Sequence, residues 1–203
     1  MKWTGILPKP KEPWVKLANG RDLATWSRED EIAYNQMNRQ AQKLAFFVNA
    51  FDCLYGNRVE GDYFEFGCHR GRTFRMALTE ARRRHFDGMR FVAFDSFEGL
   101  PEPAGQTDVP GYYAGALRTS EEAFRRLIGA HGVYVDRCEI IKGMFQTTLT
   151  GELQERLRAG DRKLALACVD CDLYESARPV FRFLEPFLQE GRLIYIDDWF
   201  VGY

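Results

Sequence analysis

From Asp62 onward, short apolar runs alternate with stretches of helical period, and this alternation constrains the fold more than any other feature of the chain. Residues 63–67, 91–95, 139–143, 164–170 and 193–197 have strand length and strand composition. Between them, residues 73–86, 120–130, 153–157 and 174–188 carry apolar residues at helical spacing. Strands that are nearly continuous in apolar residues need cover on both faces, and helices set between successive strands supply it. The pattern therefore predicts an α/β fold built on a parallel sheet. At 203 residues the chain fits a single domain.

Residues 61–203 hold the alternating part. Residues 1–60 read differently: an extended arm through Pro8, Pro10 and Pro13, then a helical cap over residues 29–55 that ends before Gly56. The long irregular stretch 98–118, with three prolines and four glycines, reads as an active-site loop. The last strand is apolar enough to be central, yet the chain stops just beyond it at Tyr203. An open apolar edge invites pairing, so the expectation is that further strands or a second protomer cover it.

Lys plus Arg (28) nearly balance Asp plus Glu (29), so no long-range field gathers nucleic acid or an anionic membrane. The N-terminus lacks a signal-length apolar core, and no run approaches the ~20 apolar residues of a membrane span. A cytoplasmic protein with a local small-molecule site is expected. Five scattered cysteines fit reduced thiols rather than a disulfide framework. Cys168 and Cys171 have CxxC spacing, but they lie in an apolar run without a second Cys/His pair and read as buried small hydrophobes. The run Arg82-Arg83-Arg84 reads as a solvated helix face.

Chemistry gathers at the strand ends. The first strand leads into Glu65-Phe66-Gly67-Cys68-His69-Arg70-Gly71-Arg72-Thr73, a glycine turn followed by a helix. Such a turn lets backbone approach a ligand, and the helix N-terminus offers free N–H groups to an anion. The second strand ends in Asp95-Ser96, where a carboxylate can accept hydrogen bonds from both hydroxyls of a ribose. These two features imply an adenosine-bearing cofactor and leave dinucleotide and S-adenosylmethionine (SAM) both open.

The fourth and fifth strands end in Asp170-Cys171-Asp172 and Asp197-Asp198, bringing four carboxylates to one sheet edge. Like charges so placed call for a cation or a shared proton, and oxygen-only donors suit Mg²⁺. One such Asp, Asp172, could instead cap the helix that begins near Tyr174, but capping does not explain all four.

The segments GDYFEFGCHRGRTFRMAL, FVAFDSFEGLPEP, KGMFQTTL, VDCDLYESARPV and IYIDDW, from Gly61 to Trp199, resemble successive motifs of the macrocin O-methyltransferase family. The resemblance implies a Rossmann-like class I methyltransferase sheet with helices on both faces, closed by two further strands that this chain lacks. It places Glu65, Gly67, Cys68, Gly71 and Thr73 around the methionine part of SAM, and Asp95 with Ser96 at the ribose. It places Gly143, Phe145 and Gln146 near the adenine. Asp170, Asp197 and Asp198 become Mg²⁺ ligands, with Asp172 the base or a group behind the metal, and the acceptor is a hydroxyl of a sugar or other natural product.

Two rivals remain: a nucleotide-dependent oxidoreductase would want a GxGxxG turn, which residues 67–73 do not provide. A catalytically silent SAM-binding or assembly module would bind the cofactor without turnover.

Overall fold

A computed structural model describes residues 20–102 and 113–197. The chain divides into two compact units, Met1–Lys43 and Leu44–Tyr203. The described part of the first holds a short 3₁₀ turn, Leu23–Thr25, and the start of helix α1 (Arg28–Gly56). Ser27 and Asp30 cap that helix reciprocally: Ser27 N–H donates to Asp30 Oδ2 at 2.9 Å and Asp30 N–H to Ser27 Oγ at 3.2 Å. The proline-bearing arm expected from the sequence lies outside the described residues.

In the second unit strands β1 (Asp62–Phe66), β2 (Phe91–Asp95), β3 (Cys138–Lys142), β4 (Leu164–Val169) and β5 (Leu193–Ile196) form one sheet in the order β3-β2-β1-β4-β5. All four pairings are parallel. Helices α2 (Arg72–Arg83), α3 (Glu121–His131), α4 (Phe145–Thr148), α5 (Gly151–Arg158) and α6 (Tyr174–Leu184) fill the connections.

Side chains alternate across β1, so Tyr63 and Glu65 share one face while Phe64 and Phe66 share the other. On the first face Tyr63, Phe91, Ala93 and Cys168 join Phe47, Phe51 and Leu54 of α1, Phe74 and Leu78 of α2, and Phe124 of α3. On the second, Phe64, Phe66, Phe94 and Val169 join Phe145, Leu157, Val180 and Phe183. Every residue of β1 and β4 is buried; β4 is accordingly apolar throughout, whereas β1 buries two carboxylates, Asp62 and Glu65, among its aromatic residues.

Differences from the sequence reading have local causes. α6 stops at Leu184 and a 3₁₀ turn, Glu185–Phe187, replaces its expected last turn, because Pro186 has no N–H to continue the ladder. α4, four residues long, is too short to show a period. β5, apolar enough in sequence to be central, lies outermost among the described strands, with Ile194 36% exposed. Arg84 is no solvated residue: its side chain is only 10% exposed, with Asp52 at 2.6 Å and Glu80 at 2.5 Å, whereas Arg82 and Arg83 do face solvent. Cys168 and Cys171 are buried, and all five cysteines are free thiols.

Candidate active site

Because every strand is parallel, all five carboxyl ends lie along one edge of the sheet. In spatial order that edge carries Gly143, Asp95, Gly67, Asp170 and Asp197, one contribution from each strand end. The chain runs outward from β1 through β2 to β3, then returns to the other side of β1 for β4 and β5. The switch point therefore falls between β1 and β4, where ligands of open α/β sheets bind.

The turn after β1 is built by close backbone approach. Gly67 has φ +85°, and a Cβ there would fall 1.8 Å from the Asp170 carbonyl oxygen; its N–H donates to Phe94 O at 2.9 Å. Gly71, at φ +54°, lies with its would-be Cβ 3.0 Å from the Phe124 ring. The glycine spacing predicts room for a ligand. Here the protein's own β4 turn and α3 fill that room, so the glycines serve first to lock the turn. Gly143 is similar, its Cβ position taken by the Thr148 hydroxyl.

Glu65 is fully buried at the end of β1, accepting from the Tyr63 hydroxyl and, at 2.8 Å, from the Thr73 hydroxyl. Cys68 is buried beside it, and its thiol is held well above the usual range by burial first and then by Glu65 and Asp95. It is a packing residue, not a nucleophile. The Cys68 N–H donates to Asp95 Oδ2 at 2.6 Å, and the Phe97 N–H to Asp95 Oδ1 at 2.7 Å. Burial raises the Asp95 carboxyl above its ordinary value of 3.8, against the lowering effect of those two amides. Each oxygen keeps a further lone pair, so the half-buried carboxylate still has capacity for ribose hydroxyls, and the donor set fits an adenosine-bearing cofactor.

Ser96 is committed elsewhere: its hydroxyl donates to Gly99 O at 2.8 Å and accepts from Glu98 N–H at 3.1 Å, folding the start of the 98–118 loop. Residues 103–112 of that loop lie outside the described residues. His69 Nδ1 lies 3.2 Å from the Thr119 hydroxyl, and burial, ahead of neighbouring arginines, lowers its pKa. Thr119 also accepts from the Arg70 N–H at 3.1 Å, so the far end of the loop is tied to the glycine turn. Thr119 carries no motif and was not visible in the sequence.

Two residues expected at the adenine have other work in this structure. Phe145 is a core side chain, its ring 5.9 Å from that of Phe66. Gln146 is exposed and its amide donates to Glu175 O at 3.1 Å. Pro179, inside α6, lacks the N–H that would ordinarily reach that carbonyl four residues back, and Gln146 replaces it. The pair has a sequence signal, a proline six residues into a helix, though not one that names the partner.

On the other side of the switch point, Asp170 N–H donates to Phe66 O at 2.9 Å and Asp197 N–H to Val169 O at 3.0 Å, extending the ladder by one rung at each strand. Asp197 Oδ1 accepts from the Tyr195 hydroxyl at 2.6 Å, and burial followed by that bond raises the Tyr195 phenol. Asp172 does not cap α6, whose N-cap is Leu173. It sits at φ +60°, in a tight turn closed by Leu173 N–H to Cys171 O at 2.6 Å. Asp tolerates this left-handed region better than most residues, but the position still carries strain.

Among the described residues no group of three or more His, Cys, Asp or Glu side chains could hold a metal ion. The third expected ligand, Asp198, lies outside them. Carboxylate donors suit a hard cation chemically, but Asp170 and Asp197 alone do not complete a site.

The sheet and its carboxyl edge define an open Rossmann-like α/β fold of the methyltransferase type. Calicheamicin methyltransferase CalS11 matches it with a TM-score of 0.63 and 22% identity, covering 86% of this chain and 72% of that one. The O-methyltransferase NovP matches with a TM-score of 0.62 and 24% identity, covering 78% and 65%. In sequence, the profile of the macrocin O-methyltransferase (TylF) family matches residues 18–202, and the chain belongs to that family.

The 8-demethyl-8-(2,3-dimethoxy-alpha-L-rhamnosyl)-tetracenomycin-C 4'-O-methyltransferase of Streptomyces olivaceus is 31% identical over 155 residues, 73% of this chain and 56% of that protein. The demethyldecarbamoylnovobiocin O-methyltransferase of Streptomyces niveus is 28% identical over 153 residues, 72% of this chain and 55% of that protein. The chain thus spans a little over half the length of these curated relatives.

Proposed function

We propose that the protein is a SAM-dependent O-methyltransferase that methylates a hydroxyl of a small natural-product acceptor, with Mg²⁺ assistance. The observation that carries this reading is the switch point between β1 and β4, with Asp95 on one flank and Asp170, Asp172 and Asp197 on the other, in a member of this family. The cofactor supplies a methyl group already activated on sulfonium. What remains for the protein is to orient the acceptor oxygen in line with that methyl and to remove its proton.

In this reading Asp95 receives the ribose hydroxyls, and Glu65, Gly67, Cys68, Gly71 and Thr73 shape the pocket for the amino-acid end. Asp172, aimed by its strained turn, is the base, with Asp170 beside it. Asp170, Asp197 and Asp198 would hold the metal, whose chemistry is to lower the acceptor's hydroxyl pKa. A glycosyl hydroxyl is favoured as acceptor by the rhamnosyl group in the name of the Streptomyces olivaceus relative. Among the described residues no helix is long and apolar enough to cross a membrane. With a net charge of -1 the proposed partner is a small molecule met in the cytoplasm rather than nucleic acid.

The exposed edge of β5 is proposed to pair with a second copy or with further strands, which light scattering on this chain tests; a stable monomer with that edge open would contradict it.

Calorimetry with S-adenosylhomocysteine and with NAD, followed by turnover with and without a chelator, tests the main reading. Preference for NAD would overturn the cofactor, and full turnover in chelator would remove the metal. Tight cofactor binding without turnover on any hydroxyl acceptor would leave a silent binding module.

A further inference from the structure

Tyr63 and Glu65 share a face of β1, and Thr73 stands in the first turn of α2. The Tyr63 hydroxyl donates to one oxygen of the Glu65 carboxylate and the Thr73 hydroxyl to the other, the latter at 2.8 Å. All three side chains are buried, Tyr63 and Glu65 completely. The strand is thereby tied to the helix that follows the glycine turn through a carboxylate.

The Tyr63 ring sits among Phe47, Phe74 and Phe91 at 6.1, 5.8 and 6.0 Å, a setting that a phenylalanine would fill equally well. Core packing accounts for the ring but not for the hydroxyl. Burial first, then the charge of Glu65, pushes the phenol well above its ordinary range, so it remains a donor wherever the protein is folded. A buried carboxylate that accepts two O–H groups is fixed in place by them, and a carboxylate so held favours a cation nearby.

We propose that Tyr63 is a positioning residue of the cofactor site: its hydroxyl, together with that of Thr73, holds the Glu65 carboxylate in place to attract the ammonium group at the amino-acid end of the cofactor. The inference rests on the SAM reading and deepens it, assigning to a core tyrosine a part in cofactor affinity.

The test is calorimetry on the full chain with two ligands, S-adenosylhomocysteine and 5'-methylthioadenosine, which lacks the amino-acid end. Tyr63→Phe keeps the ring and deletes the donor. It should weaken S-adenosylhomocysteine about tenfold, the scale of one hydrogen bond to a charged group, and change 5'-methylthioadenosine by less than about twofold. Thr73→Val should show the same selectivity and Thr73→Ser should restore affinity.

The pH profile adds a readout that a purely structural role would not move. A carboxylate that loses a donor ionises less readily, so the acid-side loss of S-adenosylhomocysteine affinity should begin at higher pH in Tyr63→Phe than in the wild type. The substitution leaves both amides on Asp95 and its burial in place, and the thiol of Cys68 is held too high to contribute. Thermal unfolding without ligand checks folding; should Tyr63→Phe fail to fold, the Thr73→Val and Thr73→Ser pair decides.

Equal losses for the two ligands, an S-adenosylhomocysteine affinity within about twofold of wild type, or an unmoved pH profile would overturn the role while leaving the cofactor reading intact. A wild-type chain that binds neither ligand would overturn the cofactor reading, and the inference with it.

Discussion

Asp62 and Glu65 are buried carboxylates on the same short strand, 1% and 0% exposed, and they are held in opposite ways. Asp62, at the amino end, takes Arg90 Nε at 3.0 Å and Nη2 at 2.6 Å, Arg162 Nε at 3.0 Å and Nη2, and the Arg90 N–H at 3.1 Å. Arg90 goes on to the Leu157 carbonyl at 2.6 Å and Arg162 to that of Gly88 at 3.1 Å. Burial alone would raise the Asp62 carboxyl, but these arginines overcome it and hold the group below its ordinary value.

At the carboxyl end, the bonds described for Glu65, Asp95 and Asp197 come from hydroxyls and amides instead. One end of the sheet is a knot of paired charges that joins β1, β2 and the approach to β4. At the other, the described donors to Glu65, Asp95 and Asp197 are hydroxyls and backbone amides, and several carboxylates share one strand-end edge. The contrast separates scaffold from site along a single strand.

The largest expected effect lies at the scaffold end. Asp62→Asn leaves two arginines facing a neutral amide, and breaking a buried pair costs about 3 kcal/mol, at the low end of the range because both arginine side chains are partly exposed. Urea unfolding should show that loss while S-adenosylhomocysteine affinity, measured on the folded variant, stays unchanged. A variant that keeps its stability but loses the ligand would erase the division between the two ends.

At the site end the matching change is Asp172→Asn. The amide keeps the shape of the side chain but cannot take a proton, so turnover should fall about a hundredfold with cofactor affinity and stability preserved. Undiminished turnover would remove Asp172 as base and shift attention to Asp170.

Acid sharpens the comparison, because the two ends respond with opposite sign. The folded pKa of Asp62 is depressed, so its contribution is fully present above the unfolded value, about 3.9, and is lost as pH falls through the folded value. The folded pKa of Asp95 is raised, so its ionisation weighs against the fold as pH rises from the unfolded value through the folded one. Below about pH 4 the stability gap between wild type and Asp62→Asn should narrow. Asp95→Asn should gain on wild type above that window, where the wild-type carboxylate is charged. Parallel urea midpoints for all three chains across pH 3 to 7 would contradict both assignments.

The alternation of strands and helices was legible because a sheet buried on both faces must be written in apolar runs, and the edge residues were legible because they end those runs. Other features depend on pairings that no local pattern encodes. Asp62 meets Arg90 and Arg162 across sequence separations of 28 and 100 residues, so its charge reads as a strand-start acid and nothing more. Arg84 reads as one of three exposed arginines until Asp52 of α1 reaches it. The alternation that marks Tyr63 as core is correct for its ring and silent about its hydroxyl. Strand order, too, is absent from periodicity: nothing in the apolar runs says that β4 and β5 return to the far side of β1.

Gln146 gives the smallest effect and the finest distinction between scaffold and site, since the family resemblance sets it near the adenine while its amide is bonded to Glu175 O. If the bond is its main task, Gln146→Ala should cost about 0.5 kcal/mol, the low end for one exposed hydrogen bond, and leave S-adenosylhomocysteine affinity as it was. Pro179→Ala supplies the missing helix N–H to that same carbonyl, so in its background Gln146→Ala should cost almost nothing. The double-mutant cycle cancels the separate effect of proline on the unfolded chain, leaving the coupling between the amide and the helix gap. Loss of cofactor affinity in Gln146→Ala, with no coupling to Pro179, would return Gln146 to the adenine and move α4 from the scaffold to the site.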